Sequence, residues 1–239
     1  MIQTLKRQFC VLRYDGRWLF GLTAGIGIIG VIIYQIILGV EQEDGAYVPL
    51  GTILAAGTLL IMILALIMSE FAMYFNIEVS MGCTRGQFFL SFFLTSLVMS
   101  LFGYGLVLLV SLGEDALNAA VHPELTIEVA VMPYLLRWGF PVVLLAVICS
   151  MFFATLVLRY GKRAYWILWA VWMILCLGFP RVVEAIGEAP DSLFGKIGSA
   201  AIRLFSGVSS EMWILVSVLA GVIGLTGTYL FLRRQQVTS

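Results

Sequence analysis

Residues 50–75 read LGTILAAGTLLIMILALIMSEFAMYF, an unbroken apolar stretch whose one ionisable side chain is Glu70. A bilayer's hydrocarbon layer is about 30 Å thick and a helix rises about 1.5 Å per residue, so about 20 such residues cross it. Stretches 18–40, 88–112, 134–158 and 211–232 meet the same condition, and 164–179, shorter but continuing past Pro180, is read with them as the fifth span. They are continuously apolar and do not alternate, which excludes a transmembrane barrel. The first is too long for a signal peptide, and Glu41-Gln42-Glu43-Asp44 follows it in place of a small-residue cleavage site. Composition agrees: 61% of the 239 residues are apolar and 12% are charged, against roughly 45–50% and 25% in soluble domains. A soluble enzyme is excluded, because so apolar a chain cannot cover its outside with polar groups. The expected fold class is all-α integral membrane, a single six-span domain over 1–239.

Charge sets the expected orientation. Lys6, Arg7, Arg13, Arg17, Arg85, Arg159, Lys162, Arg163, Arg233 and Arg234 fall in the N-terminal arm, the loops after the second and fourth spans, and the C-terminal tail, 10 of the 14 basic residues. By the positive-inside rule both termini are cytoplasmic. The 14 acidic residues balance the 14 basic ones, so no excess is left to neutralise nucleic-acid phosphates. Cys10, Cys83, Cys149 and Cys176 form no C-x-x-C pair, and neither a disulfide framework nor a zinc site is indicated. No internal repeat relates the first three spans to the last three, which argues against carriers built from duplicated halves.

Catalytic chemistry finds little support. No lysine stands in the frame of a phosphate-binding loop, so ATP hydrolysis by that route is outside this chain. The single histidine, His122, lies in an outer loop beside Pro123, leaving no base for a serine nucleophile and no cluster for a metal. Glu70 is the one ionisable residue expected inside the membrane, about 7 to 8 Å from the cytoplasmic end of its span. A carboxylate paired with an arginine of the arm, or wetted at the interface, is the simpler reading of it than a proton or substrate site. Tyr34, Gln35 and Tyr104 are weak pathway candidates, better read as interhelical hydrogen bonds. Small residues recur at Gly21 and Gly25 and at Ser217, Gly221, Gly224 and Thr228. Packing inside the bundle explains that spacing better than a dimer seam.

Three non-spanning elements are more informative. In the arm, residues 1–17, Ile2, Leu5, Phe9 and Leu12 share one helical face, which describes a helix lying in the cytoplasmic interface and turned upward at Asp15-Gly16. In the loop 76–87, Gly82 breaks the chain and Thr84 with Gln87 has the spacing of a capping box, leaving a short helix over about 76–81. Its residues Ser80-x-Gly82-x-Thr84-Arg85-x-x-Phe88-Phe89 resemble the S-x-G-x-[ST]-R-x-x-F-F stretch of the same loop in ABC-2 type transporter permeases. The resemblance departs at Cys83 and Gly86. It implies a coupling helix that docks into a separate ATP-binding subunit through Glu78, Ser80, Met81, Gly82, Thr84 and Arg85.

The third element is 180–210. Pro180 is expected to end the fifth span early, and Gly187 and Pro190 to separate short apolar pieces over 182–186 and 193–205. The same family has paired short re-entrant helices here, so the resemblance implies an outer gate formed by Pro180, Gly187, Leu193, Ile197 and Phe205. An amphipathic loop on the surface is the plainer alternative.

Taken together, the resemblance implies a permease subunit of an ABC exporter in the bacterial plasma membrane, moving a hydrophobic or amphipathic peptide, lipid or drug. Its partners would be ATPase subunits, a second permease chain, identical or related, and membrane lipid. It implies no cofactor in this chain, ATP and magnesium being held by the partner. The alternative is a membrane-embedded substrate-binding subunit of an uptake transporter, which buried polar groups converging near the outer face would favour.

Overall fold

In an apolar surrounding an unpaired backbone group costs more than a poor helix former, so each apolar stretch propagates as one helix through the glycines and prolines inside it, such as Gly21, Gly25 and Pro141. The computed structural model describes residues 2–40, 48–121, 130–188, 195–196, 198–200 and 210–234, and among them every regular element is helical. The helices are α1 Ile2–Val40, α2 Leu50–Ser80, α3 Arg85–Val121, α4 Val131–Tyr160, α5 Lys162–Glu188 and α6 Ser210–Arg234. Five stretches are long and apolar enough to cross a membrane: Gly16–Leu38, Leu50–Ser80, Arg85–Val121, Val131–Tyr160 and Met212–Arg233. The fifth expected span, 164–179, is helical within α5 but is not one of the five.

The centre is a bundle of α1, α2, α3 and α4, with α2 and α3 each touching the other three. α6 lies along α4 and grazes α3, and α5 packs against α4 alone among the described helices. The α1–α2 crossing is very close. A Cβ on Gly51 would stand 2.3 Å from Val31 Cγ2 and 2.8 Å from the Gly27 carbonyl oxygen, and one on Gly30 would stand 2.9 Å from the Gly51 Cα. In lipid, where apolar surface gives helices no drive to associate, such backbone approach supplies the van der Waals contact that does.

Four expected boundaries are corrected. The turn at Asp15-Gly16 is absent, and α1 runs straight through it. Gly16 serves packing instead: Met99 of α3 seats against it, 3.4 Å from where a Cβ would lie. The short helix over 76–81 is not separate, because nothing between Phe75 and Ser80 breaks α2, which ends only at Ser80. α3 outruns its expected end at Leu112 by nine residues, to Val121. Pro180 does not end the fifth helix, since α5 continues through it to Glu188. A proline inside a helix costs about 3 kcal/mol, less than leaving several backbone groups unpaired in hydrocarbon.

Of the expected outer gate, Pro180 and Gly187 therefore lie within α5, Gly187 one residue before its end. Leu193, Ile197 and Phe205 lie outside the described residues. Only 195–196 and 198–200 of the second expected piece are described, and they are helical.

Candidate functional site: the α2–α3 tip and the buried acids

The tip between α2 and α3 is built by two local devices. Gly82 has φ +87°, the left-handed conformation that ends helices. Its N–H donates to the Val79 carbonyl at 3.1 Å, and the Cys83 N–H donates to the Glu78 carbonyl at 3.0 Å, the paired bonds of a Schellman stop. Two residues later Thr84 caps α3: its Oγ1 accepts from the Gln87 N–H at 3.3 Å and its carbonyl accepts from the Phe88 N–H at 2.9 Å. A cap of this kind stabilises a helix by about 1 kcal/mol. The reversal thus takes few residues and has a defined shape.

Beneath the tip, Phe71, Phe75, Phe88 and Phe92 are fully buried. Phe71 meets Phe88 and Phe92 edge-on at centroid distances of 5.3 and 5.1 Å, and Phe75 meets Phe88 at 5.5 Å. Aromatic pairs of this geometry add about 0.5–1.5 kcal/mol each to their burial. The rings bind the ends of α2 and α3 into one unit, so a push on the tip moves both helices together.

Ser80, Met81, Gly82 and Thr84 are exposed at the tip. Glu78 is not, and this corrects its expected place on the docking surface: it is 4% exposed and faces into the bundle. Arg85 is half-buried and turned to its own chain, its Nη1 donating to the Arg233 carbonyl oxygen at 2.5 Å. A cation at the start of α3 opposes that helix's dipole, while the C-terminal carbonyls of α6 attract it. Arg159 reaches the same end, with its guanidinium 5.2 Å from the Phe231 ring. The α2–α3 tip and the C-terminal ends of α4 and α6 therefore share one end of the bundle, the Arg85 end.

Glu70 is 5% exposed, so its carboxylate does not reach the surface of the bundle. It lines a cavity of about 30 Å³ with Gly16, Ser96, Met99 and Ser100, room for one water. The buried Ser96 Oγ has no hydrogen-bond partner among the described residues; neither does Thr23 Oγ1 or the side-chain amide of Gln8.

At the opposite end, the Glu114 end, lies a site that the sequence alone did not single out. Glu114 is 2% exposed. Its Oε1 accepts from the Gly51 N–H at 2.9 Å, and its Oε2 accepts from the Thr52 N–H at 2.8 Å and the Thr52 hydroxyl at 2.7 Å. An α3 carboxylate therefore caps the N-terminus of α2, where free amides and the dipole favour negative charge. The signal was present as a helical stripe: Gly103, Val107, Ser111, Glu114 and Asn118 follow at intervals of three or four, and all are buried. Around it Gln35 donates to Asn118 Oδ1, and Tyr34 OH accepts from the Val48 N–H at 3.0 Å. Tyr104 OH donates to the Leu135 carbonyl at 2.8 Å. All three polar candidates are thus used as tertiary hydrogen bonds.

Among the described residues no group of His, Cys, Asp and Glu could hold a metal ion. The described residues form two braced ends and an exposed tip. No protein-family model matches the chain, and no curated protein or solved structure matches it either.

Proposed function

We propose that the chain is a permease subunit of an ABC exporter, carrying a hydrophobic or amphipathic substrate and driven by separate ATPase subunits that dock on the α2–α3 tip. The observation that carries the reading is the tip itself. A Schellman stop and a threonine cap present Ser80, Met81 and Gly82 outward, over a four-phenylalanine cluster that binds both helices into one lever. ATP-driven closure of the partners pushes the tip, and α2 and α3 tilt as a body against α1 and α4. Both termini lie in the cytoplasm of a bacterial cell, and α5 is the sixth crossing. A second permease chain completes the pathway, and α5, on which Tyr165, Trp166, Ile167, Trp169, Trp172 and Ile174 are exposed and which packs against α4 alone among the described helices, is the helix that meets it.

A membrane-embedded substrate-binding subunit of an uptake transporter is the second reading. The polar groups that converge at the Glu114 end favour it, although Glu114, Thr52, Gln35 and Asn118 mostly satisfy one another. The deciding experiment is copurification of the tagged chain from its own membrane. A P-loop ATPase that copurifies and is lost on Met81→Asp, with the bundle still folded, supports the exporter reading. Copurification unchanged by Met81→Asp and by Ser80→Arg contradicts docking at the tip.

A further inference from the structure

α4 and α6 run in the same direction and meet closely where glycines of α6 face α4. Near the Arg85 end, Ile148 seats against Gly221 and Gly224, 3.3 and 2.7 Å from where Cβ atoms would lie, and Phe152 seats against Gly227 at 3.4 Å. Phe152 and Phe231 meet edge-on below with centroids 6.2 Å apart. Beside these seats and on towards the Glu114 end a cavity lies between the two helices. Phe140, Leu144 and Ile148 of α4 face Ile214, Val218 and Leu225 of α6 across a cavity of about 430 Å³. Phe140, Ile214 and Val218 are half exposed, so the cavity opens sideways between the two spans, where a bilayer lies.

Its shape and the charge at its mouth point to an occupant. The α4 wall from Phe140 to Ile148 covers about 12 Å of helix, a depth suited to a chain lying along the span. A methylene group takes roughly the space of a water, about 30 Å³, so the cavity holds on the order of a dozen of them. Arg137 lies one turn beyond Pro141, which lines the cavity, on the same face of α4. It is exposed, its guanidinium is 5.5 Å from the Trp138 ring, and it forms no ion pair among the described residues. A cation at headgroup level above an apolar slot complements an anionic amphiphile.

We infer that the α4–α6 cleft holds one acyl chain of an anionic phospholipid from the leaflet at the Glu114 end, with its phosphate against Arg137. The site is independent of whether the chain works as an exporter. It fastens α6 to α4 across the cavity between them.

The test uses the full chain in phosphatidylcholine vesicles doped with phosphatidylglycerol carrying a diazirine midway along one acyl chain. Adducts are mapped by peptide mass spectrometry. They should gather on 140–148 and 214–222 in severalfold excess over the equally exposed α1 face of Ile28, Ile32 and Ile36. Arg137→Gln should lower phosphatidylglycerol labelling about fivefold, the worth of one arginine at an anionic surface. It should leave labelling by the phosphatidylcholine analogue unchanged. Ser217→Trp, which fills the cleft, should lower both, with the smaller Ser217→Leu falling between if the tryptophan variant folds poorly. Labelling spread evenly over α1, α4 and α6 overturns the inference. So does labelling indifferent to both fillers, or a Leu144→Cys chain that crosslinks to a second copy.

Discussion

The Arg85 guanidinium donates to the Arg233 carbonyl oxygen at 2.5 Å, tying the first residue of α3 to the last turn of α6. One side chain thus fixes both the entry of the helix that leaves the tip and the end of a helix that touches α3 only at its edge. The arginine of the tip therefore has a structural task, and Ser80, Met81, Gly82 and Thr84 stand exposed beside it.

Arg85→Met should lower stability in detergent by about 1 kcal/mol, the value of a half-exposed charged hydrogen bond. It should also speed hydrogen exchange over the last turn of α6. Met81→Asp should change neither. Unchanged exchange in the Arg85 variant would show that the α3–α6 tie carries no weight.

Glu114 bears on the other end. Glu114→Ala strips three acceptor contacts from the start of α2 and should destabilise by on the order of 3 kcal/mol. Glu114→Gln keeps one amide oxygen as an acceptor and should lose less. Thermal denaturation in detergent checks the order, and equal stability of all three proteins would remove the carboxylate cap from the account.

The α1–α2 crossing tolerates no methyl at its centre. Gly51→Ala should lose about 1–3 kcal/mol through overpacking against Val31 and the Gly27 carbonyl. Gly57→Ala, on the same helix with nothing within 4 Å of the added atom, should be neutral or slightly stabilising. Equal effects of the two would mean that the helices do not cross at Gly51.

How much of this was legible depends on what each residue was asked to do. Gly82 and Thr84 act through their own backbone and neighbours a few residues away, so their stop and cap could be read from spacing. Gly16 looks like a turn in sequence and is a seat for Met99, a fact held by another helix. Glu114 follows the same rule: its partners stand more than 60 positions away at Gly51 and Thr52, and only the stripe through Ser111 and Asn118 hinted that α3 continued. Pro180 failed as a stop because propensity is weighed against unpaired backbone in an apolar surrounding.

Whether α5 crosses is decided by labelling single cysteines placed at Gln236 and at Glu43 in an otherwise cysteine-free chain. Five crossings between them put the two positions on opposite sides, and an impermeant reagent should reach only Glu43→Cys from outside. Equal labelling would leave four crossings and remove α5 from the spans.

The central claim is that the exposed tip docks an ATP-hydrolysing partner. A photoreactive amino acid in place of Met81, exposed at the tip, tests it in intact membranes, with the same group in place of Ile36 near the opposite end as the control. A crosslink from position 81 to a soluble P-loop ATPase, weakened when ATP is withheld and absent from position 36, is the predicted result. Position 81 giving only lipid adducts, or the same adducts as position 36, would contradict the account.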